Sequence, residues 1–519
     1  MLKAKDNQLS IYSILYNKIP ENHTLKLINS AIDLSFVTKL LEGSYSKTFG
    51  RPAKEPELLI RILIIKHLYD LSDVKVIEDA SLNLAYMWFL GINPEEDLPD
   101  ASLLAKFRVH RLQDITLDEI IIEVVRQCVE KGILKDTTIS IDATHTAANT
   151  FKATPERVMK RLANKLFKHY EKECGELPEN INQIIPDYKQ IPDHKEAKKV
   201  MKDYLETEME KLEKITTLKD QPKTFKLLEN AREILSDPKF IEQRGVRSIV
   251  DQDARVGHKS KTEHFFGYKT EFIMTTEERI ITAVTVQNGS YVDGTDFERL
   301  MDLTEKAGLD IKEVYGDKAY FRRPILDRIK EIEAKPFIPV SETVYRIDEE
   351  KFSYNKDSDE WFCNSGNSTV SKKYKKQKNG KETYIYYFDK ETCRNCDKRS
   401  ECMSEKMSVR QTARVLEVGL NAPEYYSYSQ EQKTEEFKEK YKSRACQEGK
   451  NGEMKNHHGL NRAQGYGTRS MTTQAKLTAL AVNLKRIAGI LSSKLPKTFN
   501  IFDIIRLYFN FYRNIIILA

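Results

Sequence analysis

The chain has 519 residues, with 84 Lys and Arg against 78 Asp and Glu, a formal charge of only +6. That length exceeds one ordinary domain and predicts two to four units, while the small net charge fits a nucleic-acid partner only through local patches. The polar start Met1-Leu-Lys-Ala-Lys-Asp predicts no secretory leader, and the apolar end Ile501 to Ala519 carries Asp503, Arg506 and Arg513, so it reads as a docking helix and not a membrane span.

Residues 1–40 read as a helical lead-in, followed by the basic turn Phe49-Gly-Arg-Pro52. Pro56 suits the first turn of a helix over Glu57–Leu71. Asp73 is a candidate cap for Val74–Leu84, and Asp100 or Ser102 for a third helix carrying Lys106, Arg108, His110 and Arg111. A helical unit ending in a basic helix is compatible with a helix-turn-helix-like DNA reader using Lys106, Arg108 and Arg111. It is equally compatible with a helical packing or dimerisation domain. After an amphipathic helix over 113–134, the stretch Asp136-Thr-Thr-Ile-Ser-Ile-Asp142-Ala-Thr-His alternates at period 2. It predicts a strand with Ile139 and Ile141 on one face and Ser140 and Asp142 on the other.

Residues 152–240 are rich in Lys and Glu, with breaks at Pro178, Pro186, Pro192 and Pro222; they predict a helical insertion, in the form of a long hairpin. The β pattern returns at Ser248, past a polar loop, Asp251-Gln-Asp253-Ala-Arg255. Phe265–Met274 and Ile280–Val286 predict a hairpin turning at Thr275–Arg279. A helix from Thr295 or Asp296 to Gly308 follows, then Ile311–Tyr320, a strand ending in a polar, glycine-flanked turn at Asp317, a helix Pro324–Ala334 and a strand Lys335–Val340. Without its inserts this order is an α/β core with a mixed sheet, and its acidic residues sit at strand ends, where such folds place sites.

Asp142 and Asp317 each stand in an apolar strand setting, where a lone carboxylate is costly to desolvate. Either each makes a structural hydrogen bond to a turn, or together they hold a pair of Mg²⁺ ions, which prefer carboxylate oxygens. Further on, a charged helix is predicted over Glu431–Asn456. At about 100° per residue, Tyr441, Arg444, Glu448 and Lys455 fall within roughly 60° of one another on its surface. A solvated face of ion pairs is one meaning of such a stripe; a phosphate-facing catalytic edge is the other. Gly449 and Gly452 weaken that helix by about 1 kcal/mol each, which predicts a kink or a close approach of DNA backbone. His457 and His458 read as exposed or phosphate-contacting.

Four of the seven cysteines lie between Cys363 and Cys402. Cys393-x2-Cys396-x5-Cys402, with Cys363 upstream, offers four thiolates to a structural Zn²⁺; the alternative is reduced cysteines in a β-rich insertion. Trp361 beside Cys363 reads either as a core residue or as a stacking platform for an extruded base.

The spacing Tyr441-x2-Arg444-x3-Glu448-x6-Lys455 resembles the signature of bacterial insertion-sequence transposases of the DDE type. So do the Asp142 strand with Asn149, the turn Tyr315-Gly-Asp317-Lys-Ala-Tyr320, Phe266-Gly-Tyr268-Lys, and the tail Gly467-Thr-Arg-Ser-Met-Thr-Thr-Gln474 through Asn483-Leu-Lys-Arg486. The resemblance spans roughly residues 40–490. Ala143 departs from it, standing where close relatives commonly have glycine. The resemblance implies an RNase H-like core with Asp142, Asp317 and Glu448 as ligands of two Mg²⁺ or Mn²⁺ ions. It further implies DNA contacts from Tyr441, Arg444 and Lys455, cleavage at terminal inverted repeats with 3′-OH attack on target DNA, a homodimer, and residence on the bacterial nucleoid in the cytoplasm. A catalytically inactive DNA-binding relative and an RNase H-fold nuclease without strand transfer are the alternatives. The expected organisation is a helical N-terminal DNA-binding or dimerisation domain (1–134), a first core segment (135–151), the helical insertion (152–245), a second core segment (246–345), a Cys-rich β insertion (346–420), the catalytic-glutamate helix and end of the core (421–495), and a C-terminal helix (496–519).

Overall fold

The computed structural model describes residues 10–46, 53–150, 153–238, 240, 246–260, 262–378 and 380–494. The turn at 49–52 and the segment 496–519 lie outside them. The architecture is mixed α/β, built on a sheet of six strands among the described residues. They are β1 (Thr138–Ala147), β2 (Arg255–His258), β3 (His264–Thr275), β4 (Ile281–Asn288), β5 (Glu313–Tyr315) and β6 (Lys335–Phe337).

Strand β1 lies in the middle. It runs antiparallel to β3 from Ile139↔Thr275 to Ala147↔Gly267, and parallel to β5 at Thr138↔Glu313 through Ser140↔Tyr315. β6 extends the parallel side, while β2 and β4 both pair with β3 on the antiparallel side. The alternation read in 136–145 is real: Ile139 and Ile141 are fully buried on the face that Phe297, Leu300 and Met301 cover. The strand and turn expected in Ile311–Tyr320 are both present, the strand short at Glu313–Tyr315. It ends at Tyr315, because the Asp317 carboxylate accepts a hydrogen bond from Ala319 N at 2.7 Å and starts a 3-10 turn, Lys318–Tyr320, a local alternative to the sheet ladder.

The other face of the sheet is closed by the helix Gly467–Lys494. Its first turn is tied down by two carboxylates of the polar loop at 251–255: Gly467 N donates to Asp251 at 3.2 Å and Thr468 N to Asp253 at 2.7 Å. Asn483 exchanges two hydrogen bonds with the backbone of Ile281, at 2.8 and 2.7 Å. The same helix packs against the N-terminal helices Thr24–Ala31, Pro56–Leu68 and Asp114–Glu130. The N-terminal unit and the sheet thus share one hydrophobic cluster. Pro56–Leu68 is buried almost all round, the pattern of a core helix. Asp73 is the first residue of its helix and not its cap; the Ser72 side chain takes that role.

Among the described residues the insertion holds the helices Pro155–Cys174, His194–Glu213 and Pro222–Ser236, rather than a long hairpin, with a separate apolar cluster around Leu162, Met201 and Leu228. Its two ends meet through a bridge between Ala153 and Arg247. The later insertion pairs β7 (Phe352–Asn355) with β8 (Glu360–Cys363), and joins β9 (Thr369–Lys376), β10 (Glu382–Phe388) and β11 (Val415–Gly419) in a second sheet.

The seam between N-terminal unit and core holds one fully buried ammonium. Lys476 contacts Asp114 and Asp118, and Arg299 also reaches both carboxylates. Removing one partner of a buried pair costs about 3–5 kcal/mol. Lys476→Met is therefore expected to lower unfolding stability by about 3 kcal/mol in urea denaturation, with partial recovery in the Lys476→Met, Asp118→Asn double variant.

Candidate active site

β5 ends beside β1, which runs on. Ser140 and Tyr315 are their last paired residues, and Asp142 and Asp317 each follow two residues later. Neighbouring parallel strands are about 4.8 Å apart, so this register alone brings the two carboxylates close. Their proximity shows electrostatically: the Asp142 carboxyl is pushed up to about 6 by burial, opposed by the Arg444 guanidinium and reinforced by the Asp317 charge.

The helix Cys446–His457 lies along β1. Gln447 Nε2 donates to Ser140 O at 2.6 Å, Asn451 Nδ2 to Asp142 Oδ2 at 3.0 Å, and Lys455 Nζ sits 3.3 Å from His145 Nδ1. Beyond its end, Thr146 Oγ1 donates to Leu460 O at 2.8 Å, and Ala147 bonds to the backbone of Asn461 and Ala463. The long helix expected over Glu431–Asn456 is interrupted. Thr434 caps a separate short helix, Glu435–Tyr441, and Lys442–Ala445 tightens to 3-10 before Cys446. Ser and Thr side chains that bond to the backbone make such breaks.

Arg444 Nη2 stands 3.5 Å from Asp142 Oδ1. The Tyr441 ring stacks on Phe437, whose ring meets Phe337, and burial raises its phenol, with smaller effects from Arg444, Asp317 and Asp142. Lys455 is brought down to about 8 by burial and the Lys259 charge. Tyr441, Arg444 and Lys455 therefore all gather around Asp142. Glu448 is exposed, one helical turn before Asn451 on the same stripe. Among the described residues, no three His, Cys, Asp or Glu side chains are close enough to hold a metal ion. The pair Asp142 and Asp317 is assembled, and Glu448 stands outside it. The helix continues through Gly449 and Gly452 from Cys446 to His457, and the space where their Cβ atoms would lie is open.

Three residues at this site escaped the sequence reading. Asn451 lies three positions after Glu448 and seven after Arg444, so helical spacing alone could have placed it on the stripe. His145 follows Asp142 by three positions, packs on Phe265 with ring centres 4.9 Å apart and is held down to about 4 by burial and by Lys455. Gln447, fully buried, had no signal beyond its neighbour.

Other candidates are placed less openly. Arg108 is paired with Asp73, and Arg111 stacks on Tyr45 and donates to Ser44 O, so both charges are engaged internally; Lys106 is exposed. His458 is buried, not exposed, because it bonds to His67 O at 2.8 Å across the seam. Trp361 is fully buried among Tyr354, Tyr386 and Tyr426, which rules out stacking on a base in this arrangement. Cys363, Cys393, Cys396 and Cys402 are free thiols; burial raises the Cys402 thiol and the other three sulfurs add to the rise, so the four are neighbours. They too fall short of a closed metal cluster.

Residues 13–110 match the family described as a transposase domain (DUF772), and residues 362–488 match the transposase DDE domain. An uncharacterized protein of Rhizobium meliloti, ORF8 in the nfe locus, is 24% identical over 147 residues, 27% of this chain and 70% of that protein. No solved structure matches. Glu448 and its helix fall within the second match, while Asp142 and Asp317 lie between the two. Both matches are to transposase domains, and together they support an enzyme of the insertion-sequence DDE transposase kind. Among the described residues no helix is long and apolar enough to cross a membrane.

In metal-free protein the raised Asp142 pKa has a definite sign. The folded state binds this proton more tightly than the unfolded chain, so stability falls as pH rises from about 4 to about 6 and the penalty is complete above. Asp142→Asn should raise neutral-pH stability by on the order of 2 kcal/mol. Melting in EDTA checks this: the gain over wild type at pH 7.5 should shrink toward pH 4.

Proposed function

We propose that this transposase binds the terminal inverted repeats of its own insertion sequence, cleaves DNA there, and joins the freed 3′-OH to target DNA. The work is done in an RNase H-like core by Asp142, Asp317 and Glu448. The observation that carries the reading is the side-by-side placement of Asp142 and Asp317, with the Glu448 helix bonded to Asp142 through Asn451. The order of the long strands β1, β3 and β4, paired antiparallel, followed by β5 and β6, paired parallel beyond β1, supports the core assignment.

The donor set suits hard divalent cations, Mg²⁺ or Mn²⁺, because two adjacent carboxylates in a desolvated setting repel each other until a cation joins them. Arg444 Nε, Gln447 Oε1 and Asn451 Oδ1 are buried without a hydrogen-bond partner beside them. Asp142 and Asp317 would hold the cations, with Glu448 completing the set from the helix. Bound cations would sharpen the attacking oxygen and stabilise the leaving one. The chain's own residues do the rest. Arg444 is a planar fork for a phosphate and now rests on Asp142; Lys455 supplies a point charge and Tyr441 a hydroxyl donor. The open surface at Gly449 and Gly452 leaves room for the DNA backbone.

The enzyme acts on double-stranded DNA as a homodimer, one protomer per transposon end, on the bacterial nucleoid. The helical unit 1–134, with exposed Lys106, contributes to DNA binding or dimerisation. The helical insertion 152–245 adds lysines for phosphate contact. Cys363, Cys393, Cys396 and Cys402 carry a structural Zn²⁺ that closes the insertion 346–420.

The test uses DNA spanning the gene and its flanks. Nicking in Mg²⁺ or Mn²⁺ should fall at least about 1,000-fold in Asp142→Asn, Asp317→Asn and Glu448→Gln, with retained gel-shift binding; full cleavage by any of the three would refute its assignment. Products longer than the substrate separate a transposase from a nuclease. For the cysteines, elemental analysis of protein purified without chelator should give about one zinc per chain, lost in Cys393→Ser; a zinc-free wild type overturns that site.

A further inference from the structure

Glu271 is the most completely satisfied buried carboxylate near the site, and it touches none of the reacting groups. It lies in β3 opposite Ala143, so it points to the sheet face away from Asp142, which pairs with Phe272. Its side chain is almost fully buried. Oε1 accepts from Gly294 N at 2.6 Å and from the Tyr320 hydroxyl at 2.8 Å; Oε2 accepts from the Tyr291 hydroxyl at 2.8 Å. The Tyr291 oxygen in turn accepts from Asp296 N at 2.6 Å.

Tyr320 closes the 3-10 turn that Asp317 begins: its N–H donates to Asp317 O at 3.1 Å, while the Asp317 carboxylate holds Ala319 N. The ring is fully buried and packs against Gly294 and Gly316, so closely at Gly294 that an added Cβ would lie 2.8 Å from Ile325 and 3.2 Å from the ring. With only three strand residues in β5, the sheet ladder hardly constrains Asp317. The phenol of Tyr320 therefore supplies the fixed point, and Glu271 holds the phenol.

We propose that Glu271 is a positioning residue for Asp317: acting through Tyr320 and the 289–296 loop, it sets where the Asp317 carboxylate stands beside Asp142. This rests on the reading of Asp317 as a cation ligand. Groups that orient such ligands typically change metal affinity by about 10–100-fold when removed. Glu271→Gln removes the charge and turns one acceptor into a donor, so the contact with a tyrosine hydroxyl survives there only if that phenol turns to accept. Tyr320→Phe removes the key bond alone and conserves shape.

The experiment measures nicking of DNA spanning the gene and its flanks as a function of Mn²⁺ concentration, together with gel-shift affinity and melting temperature. Glu271→Gln and Tyr320→Phe should each need roughly 10-fold more Mn²⁺ for half-maximal nicking than wild type, with DNA affinity unchanged. A merely structural role lowers the melting temperature and leaves the Mn²⁺ midpoint where it was, and that result overturns the proposal. Should Glu271→Gln fail to fold, Tyr320→Phe decides alone. Wild-type nicking that ignores divalent cations defeats the catalytic reading and the positioning role with it; a Mn²⁺-dependent wild type with unshifted variants defeats only the positioning role.

Discussion

The rest of the structure depends on holding the buried Asp142 carboxyl beside a second carboxylate, Asp317. Burial of Asp142 raises its pKa and Asp317 raises it further, so the folded chain stores electrostatic tension where β5 ends beside β1. Placing β1 between β3 and β5 makes that possible, because a central strand cannot shift to relieve repulsion without breaking both ladders. Antiparallel pairing fixes nine residue pairs along β1, from Ile139 to Ala147. The helix Cys446–His457 then seals the edge with side-chain bonds at Gln447 and Asn451. Arg444 partly neutralises the pair. It is the same guanidinium that phosphate chemistry would recruit, so the resting contact and the working contact compete for one side chain.

Much of the core was legible because its signals are local. The alternation through Ile139, Ile141 and Asp142 needs only a period of 2, and the strand-end position of Asp317 follows from Val314, Tyr315 and Gly316. The stripe of Tyr441, Arg444, Glu448 and Lys455 needs only 3.6 residues per turn, and three of those four residues gather around Asp142 despite the interruption at Lys442–Ala445. That interruption was not legible: Thr434 is acceptable inside a charged helix, and only its hydroxyl bond to Phe437 N shows that it begins a new one.

The misses share a physical cause, which is partnership across long sequence separations. His458 looked exposed after the polar run Lys455–His457, but its partner is the carbonyl of His67. Arg108 and Arg111 looked free for DNA because Asp73 and Tyr45 come from other helices. Glu271 sits in a strand buried on both faces, where alternation gives no cue. The four cysteines illustrate the reverse: a local pattern correctly predicts neighbours, yet spacing does not determine whether the sulfurs reach coordination geometry.

The helix Gly467–Lys494 has a mechanical consequence. It serves the N-terminal helices and the sheet at once, and Lys476 locks the two sides with ions that cannot rehydrate without unfolding the seam. An arm on a flexible tether could sample many spacings between a bound sequence and the cutting centre. This chain has no such freedom at the seam. Under the proposed reading, a duplex gripped by the N-terminal helices would be presented to Asp142 at one distance and one rotational phase, and the protein would act as a ruler: adding or removing half a helical turn of DNA between a recognition sequence and the cut would put the scissile phosphate on the wrong side of the double helix.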